Sequence, residues 1–169
     1  MVNKFLITFA GVVGSSKTPI AHYLSWKLNL PIFSNDAIRT EIIEDLDSFN
    51  EEEYKKRRDQ RLEQVAKSEL SFIYDASVDR EWSNLKRKIE PHGYRTFIIS
   101  LDLSKEFLIS LHKTKGYQET LERIDSLAAD HNTFLVQYKH EIGLCIQDKD
   151  FADRLKLSYQ KVKNWLIFG

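Results

Sequence analysis

The sequence predicts an α/β fold: a three-layer α/β/α arrangement with a five-stranded parallel sheet at its centre. Three observations predict it. Short apolar, β-rich runs recur along the chain, amphipathic helical stretches separate them, and polar or glycine-bearing exits follow the runs. Strands alternating with helical stretches imply right-handed crossovers and therefore parallel strands. Ligands of such sheets bind beyond the carboxyl ends of the strands.

The first run, Lys4 to Ala10, suits a central strand covered on both faces, and Gly11 and Gly14 end it. From Lys17 the period changes, with Ile20, Leu24 and Leu28 on one helical face. Leu30 to Phe33 is a short extended segment whose Pro31 suits a sheet edge. Its polar exit is Ser34, Asn35 and Asp36, and a helix is expected from about Ala37. Glu51 to Ser68 is so densely charged that it reads as a mostly solvated helix.

Leu70 to Tyr74 is the third strand and ends at Asp75; Asp79 can then cap a helix whose face is Trp82, Leu85 and Ile89. His92 and Gly93 close that helix. Thr96 to Leu103 is the fourth strand, with Ser104 as N-cap of a helix carrying Phe107, Leu108 and Leu111. Gly116 breaks the chain before one helix marked by Tyr117, Leu121, Ile124 and Leu127. Glu141 to Ile146 supplies the fifth strand, and an amphipathic helix with Phe151, Leu155, Tyr159, Val162 and Leu166 on one side ends the chain.

With 169 residues and 42% hydrophobic content, residues 1–169 are expected to form one domain without disulfides or structural metals. Lys plus Arg and Asp plus Glu both total 25, so no overall basic field attracts nucleic acid, and a nucleic-acid partner is not favoured. Cys145 is the only cysteine, which fits a reducing compartment. The run Phe5 to Val13 is too short to span a membrane and lacks a signal-peptide pattern, so a cytoplasmic location is expected. The basic residues Lys55, Lys56, Arg57, Arg58 and Arg61 are interleaved with acids, as in a salt-bridged exposed helix. Oligomeric state is not encoded legibly.

The segment GVVGSSKT, Gly11 to Thr18, departs at one position from the phosphate-loop pattern GxxxxGK[ST]: Ser16 stands where the second glycine belongs. Such a loop works because successive backbone N–H groups and a helix N-terminus face a polyphosphate. Lys17 would add a mobile charge near the β and γ phosphates, and Thr18 a hydroxyl for Mg²⁺. A side chain at Ser16 restricts the backbone, and Pro19 removes an N–H from the first helical turn. The competing account is a glycine turn in which Ser15 or Ser16 merely caps a helix.

With this loop, SNDAIRTEI and FIYDASVDREWSNLKRKIEPHGYRTFIISLDL together, the chain resembles the P-loop kinase group that includes polynucleotide 5′-hydroxyl kinases and zeta-toxin-like kinases, with a degenerate Walker A motif. The likeness is strongest from Val2 to Arg39 and from Phe72 to Leu111. It implies a P-loop NTPase fold, ATP or GTP with Mg²⁺ as cofactors, and phosphoryl transfer to a hydroxyl of a small molecule or nucleotide. By the family pattern Asp36 would be the general base, Arg39 would contact an acceptor anion, and Asp75 would join Thr18 near the Mg²⁺. Asp36 could instead be a helix N-cap, Arg39 a surface residue, and Asp75 a turn cap. Residues of about 112–132 correspond to a mobile lid whose arginines are missing before Arg123, which leaves Lys113 and Lys115 as nearest substitutes, Lys115 closer to the expected place. Ser16, Pro19 and those missing arginines also fit a degenerate kinase that serves as a nucleotide-binding or interaction module.

Overall fold

The computed structural model describes residues 4–168; residues 1–3 and 169 of the expected domain, including the start of the family likeness at Val2, lie outside the described residues. Five strands, β1 (Phe5–Ala10), β2 (Ile32–Ser34), β3 (Phe72–Ser77), β4 (Arg95–Leu101) and β5 (Ile142–Ile146), form one parallel sheet in the order β2-β3-β1-β4-β5. The helices are α1 (Lys17–Leu28), α2 (Asn35–Leu46), α3 (Glu51–Lys67), α4 (Trp82–Ile89), α5 (Lys105–Lys115), α6 (Gln118–Glu122), α7 (Ile124–Tyr138) and α8 (Arg154–Phe168). No described helix is long and apolar enough to cross a membrane.

β1 lies at the centre because both of its faces are apolar. Ile7 and Phe9 pack with Ile20, Ala21 and Leu24 of α1, Leu108 of α5 and Val162 of α8. Leu6 and Ala10 face the other way, against Leu62 and Ala66 of α3 and Trp82, Leu85 and Ile89 of α4. The period-two alternation of a strand thus feeds two cores. Helix α7 belongs to both, with Ile124 in the first and Phe134 in the second. β2 is the edge strand that Pro31 suggested; the proline carbonyl still accepts from Ile73 N–H at 2.9 Å.

Four expectations change. β3 runs past Tyr74 to Ser77, and its ladder jumps from the pair Thr8–Tyr74 to Phe9–Ser77. Asp75 therefore sits on a bulged strand end, paired across to Ser34 of β2. The stretch after Gly116 is two helices, α6 and α7, broken at Arg123 (φ −105°, ψ 4°), while the apolar stripe of Leu121, Ile124 and Leu127 carries on across the break. Helix α3 is not mostly solvated on every side: Tyr54, Arg58, Leu62 and Ala66, each four residues from the next, form a buried stripe. Finally, Asp79 does not cap α4, whose N-cap residue is Glu81.

Candidate functional site

β1 delivers the chain into the loop at Gly11, where φ is +133°, and Gly14 takes +80°. A Cβ on Gly11 would stand 3.0 Å from the Leu101 carbonyl oxygen, so this turn requires glycine for space as well as for dihedrals. Just after Gly14, Ser15 N–H closes a turn on the Val12 carbonyl at 3.1 Å. Ser16 then adopts φ 78°, ψ 36°, a left-handed conformation, and α1 begins at Lys17. The Ser16 side chain accepts no cap hydrogen bond from the helix. It occupies the glycine conformation without being glycine. Pro19, in the first turn of α1, lacks an N–H only where the helix would leave one without an internal partner.

A non-glycine residue in this region costs on the order of 1–2 kcal/mol, partly offset by glycine's greater freedom in the unfolded chain. Ser16→Gly should therefore raise unfolding stability, by up to about 1 kcal/mol, read as a higher urea midpoint at unchanged slope. A lower midpoint would show that Ser16 is not strained.

Lys17 turns its ammonium back into the loop. Nζ donates to the carbonyls of Gly11 (2.8 Å) and Val12 (2.7 Å) and to Ser15 Oγ (3.2 Å). Desolvation brings its pKa down to about 8, against the opposing pull of the Asp79, Asp75 and Asp36 charges. Thr18 Oγ1 donates to Asp75 Oδ1 at 3.3 Å. Burial pushes the Asp75 carboxyl up, the Thr18 hydrogen bond opposes this, and the Asp36 charge adds to it.

Asp36 lies in the first turn of α2, which starts earlier than Ala37; the N-cap is Ser34, whose Oγ accepts from Ala37 N–H at 3.3 Å. The Asp36 carboxylate is exposed, and its charge acts on both Lys17 and Asp75. Arg39, one turn on, stacks its guanidinium over Tyr54 (4.5 Å) and Phe49 (5.0 Å). Lys115, at the C-terminus of α5, donates to the Gly14 carbonyl at 2.8 Å. His112 of the same helix is fully buried; its Nδ1–H donates to Leu108 O at 2.7 Å and its Nε2 faces Gly14. Helix α5 thus buttresses the loop on one side.

On the other side is a cavity of about 410 Å³, walled by Val12, Val13, Arg39, Asp79, Arg80 and Arg123 among others. Sequence reasoning missed three of these. Asp79 accepts from Gly11 N–H with both oxygens (3.1 and 3.3 Å) and from His131 Nδ1–H of α7 (3.0 Å). Beyond it, His131 Nε2 stands 3.4 Å from the buried Ser100 Oγ of β4. Arg80 pairs with Asp130, one residue before His131. The β3–α4 connection is therefore clamped to α7 at two adjacent points, and the first glycine of the loop hangs from that clamp. The break between α6 and α7 brings Arg123 to the cavity wall, whereas Lys115 lies on the opposite side at Gly14.

No family model matches this chain, and no curated protein matches it in sequence. Solved structures do match in shape. The chain is similar to shikimate kinase from Aquifex aeolicus (TM-score 0.65, 15% identity, covering 98% of this chain and 100% of that one). It is also similar to the APS kinase of Mycobacterium tuberculosis, solved in complex with AMPPNP and APS (TM-score 0.63, 16% identity, 95% and 98% covered). A third similar structure is a gluconokinase from Sinorhizobium meliloti (TM-score 0.64, 13% identity, 96% and 94% covered). What these proteins share with this chain is the three-layer fold of the P-loop kinases, built on a five-stranded parallel sheet.

Proposed function

We propose that the protein is a phosphotransferase that moves the γ-phosphoryl group of ATP or GTP to a hydroxyl of a small molecule or nucleotide. The observation that carries this reading is the loop from Gly11 to Thr18: a strand–turn–helix junction with a lysine inside it and the Thr18–Asp75 pair at its exit. Among the described residues no three His, Cys, Asp or Glu side chains gather to hold a metal alone. Two protein oxygens suit Mg²⁺, which keeps waters and takes phosphate oxygens for the rest of its shell. Once held by Thr18 and Asp75, the ion would supply neutralisation of charge on the phosphate oxygens.

The chain's own groups do the rest. Loop N–H groups and the α1 N-terminus face the phosphates, and Lys17 exchanges two carbonyls for phosphate oxygens. Asp36 orients the acceptor hydroxyl and takes its proton as the acceptor oxygen bonds to the γ-phosphorus and the bond to the bridging oxygen breaks, releasing the nucleoside diphosphate. Arg39, at the cavity wall, holds an anionic group of the acceptor, and Lys115 adds positive charge beside Gly14. The Asp36–Arg39 spacing supports the narrower likeness to polynucleotide-kinase and zeta-toxin-like enzymes.

Titration with ATP and GTP in the presence of Mg²⁺, followed as heat and as a rise in melting temperature, tests the reading. A second reading, a degenerate kinase that binds nucleotide weakly or not at all and acts as an interaction module, is favoured by two features: the Lys17 ammonium is already satisfied by the loop's own carbonyls, and Ser16 holds a left-handed conformation there. Absence of heat and thermal shift with both nucleotides would select it.

The lowered pKa of Lys17 gives a pH signature. Phosphates favour the charged lysine, so affinity should fall as pH rises through about 8, and be about tenfold weaker at pH 9 than at pH 7. The stability of the free protein moves the other way. The folded state disfavours the ammonium, so Lys17 is a burden below pH 8 that is relieved between about 8 and 10.5. Calorimetric titration and urea melts across that range should show the opposed slopes.

A further inference from the structure

Helices α1 and α8 pack against the same face of the sheet and leave an open groove of about 660 Å³ on their outer side. Tyr23 of α1 and Lys156, Tyr159, Lys163 and Ile167 of α8 line it. Besides Lys17, which turns inward to the loop, five of the 25 lysines and arginines lie on these two helices and none of the 25 acids. Lys27, Lys156 and Lys163 are exposed and make no ion pair among the described residues. On α3, by contrast, Lys55, Arg57, Arg58, Arg61 and Lys67 all pair with carboxylates. A net charge of zero therefore conceals a cationic face balanced by acidic surface elsewhere.

Flat rings accompany the free cations. Trp26 is 73% exposed, its ring 6.2 Å from that of Tyr23, which meets Tyr159 edge-on at 6.4 Å. The Lys27 ammonium stands among all three, 4.3 Å over Trp26, 5.6 Å over Tyr23 and 6.0 Å over Tyr159. Cations alone would suit any polyanion. An exposed indole beside two half-buried phenols, interleaved with cations, suits one whose units are themselves planar.

We propose that the α1–α8 groove, together with the Trp26–Lys27 surface that adjoins it at Tyr23, binds single-stranded nucleic acid, with Lys27, Lys156 and Lys163 on phosphates and bases stacked on Trp26 and Tyr159. From Lys156 to Ile167 the helix rises roughly 16 Å, room for a few nucleotides. An acidic peptide would use the lysines and leave the rings in water. A second copy seated on the same face would set lysines against lysines. The groove begins at Tyr23, roughly 9 Å along α1 from Lys17, so the proposal does not depend on phosphoryl transfer.

The test is fluorescence anisotropy with fluorescein-labelled oligo(dT) and oligo(rU) of ten nucleotides at 50 and 200 mM salt. Three neutralised phosphates predict a log–log salt slope near −2 and affinity about twentyfold weaker at the higher salt. Lys156→Glu with Lys163→Glu should abolish binding while the melting temperature stays put, since both side chains are exposed. Trp26→Ala should weaken binding at least fivefold with the salt slope unchanged, and Trp26→Phe should largely restore it. Excess ATP should not displace the oligonucleotide. The proposal is overturned by no binding at 50 mM salt or by indifference to the double charge reversal. It is equally overturned by wild-type affinity in Trp26→Ala, displacement by ATP, or equal binding of poly-glutamate or of phosphatidylserine vesicles.

Discussion

Lys17→Met should reduce triphosphate affinity at least a hundredfold and leave the empty protein as stable as the wild type or more so. The two effects share a cause. The ammonium is held in a desolvated turn, and a pKa lowered from 10.5 to about 8 corresponds to an opposing free energy of about 3–4 kcal/mol. Methionine removes that burden but leaves the carbonyls of Gly11 and Val12 without their donor, a loss of about 0.5–1.5 kcal/mol each. The terms partly cancel, so the net change lies between zero and about 3 kcal/mol in favour of the variant. On the proposed reading the same side chain would make charge-assisted bonds to phosphate worth about 1.5–3 kcal/mol apiece, and two of them account for the expected loss of affinity. Urea melts and isothermal titration of one preparation read both quantities. Unchanged ATP and GTP affinity in a folded Lys17→Met protein would refute the kinase reading.

Asp79→Ala should be among the most damaging single changes near the site. Its carboxylate is the acceptor for Gly11 N–H and for His131 Nδ1–H, and deletion strands both donors. Each buried unsatisfied group costs about 1–3 kcal/mol, so a loss of roughly 2–5 kcal/mol is expected in chemical denaturation. Asp79→Asn keeps one oxygen for Gly11 and a side chain of the same shape, and should lose less than half as much. Because Gly11 opens the loop proposed to hold the phosphates, the alanine variant should also bind nucleotide more weakly, with the asparagine variant between it and wild type. Equal stability of wild type and Asp79→Ala would show that Gly11 N–H and His131 find other partners.

The order of elements, the loop and the position of its lysine were all legible in the sequence, because each rests on a local signal. Alternation between periods of two and 3.6 residues marks strands and helices, and the pair Gly11 and Gly14 marks a turn needing positive φ. Asp36 and Asp75 were readable as candidates because one follows β2 and the other lies near the end of β3, at the edge of the sheet where ligands of such folds gather. Asp79 was visible too, but the wrong local rule claimed it: an aspartate before a helix suggests a cap, and a histidine 52 residues away outcompeted that role.

The sequence by itself determined an α/β sheet and a glycine loop opening onto a helix at a lysine and a threonine. Only the tertiary structure decided that Asp79, His131 and Ser100 form one buried chain behind that loop. It alone brought Arg123 to the cavity and set Lys156 and Lys163 of α8 beside Tyr23 of α1. The physical reason is range: dihedral and periodic preferences act over a few neighbours. Pairing, desolvation and the sum of charges on a face depend on residues that meet only after the chain has folded.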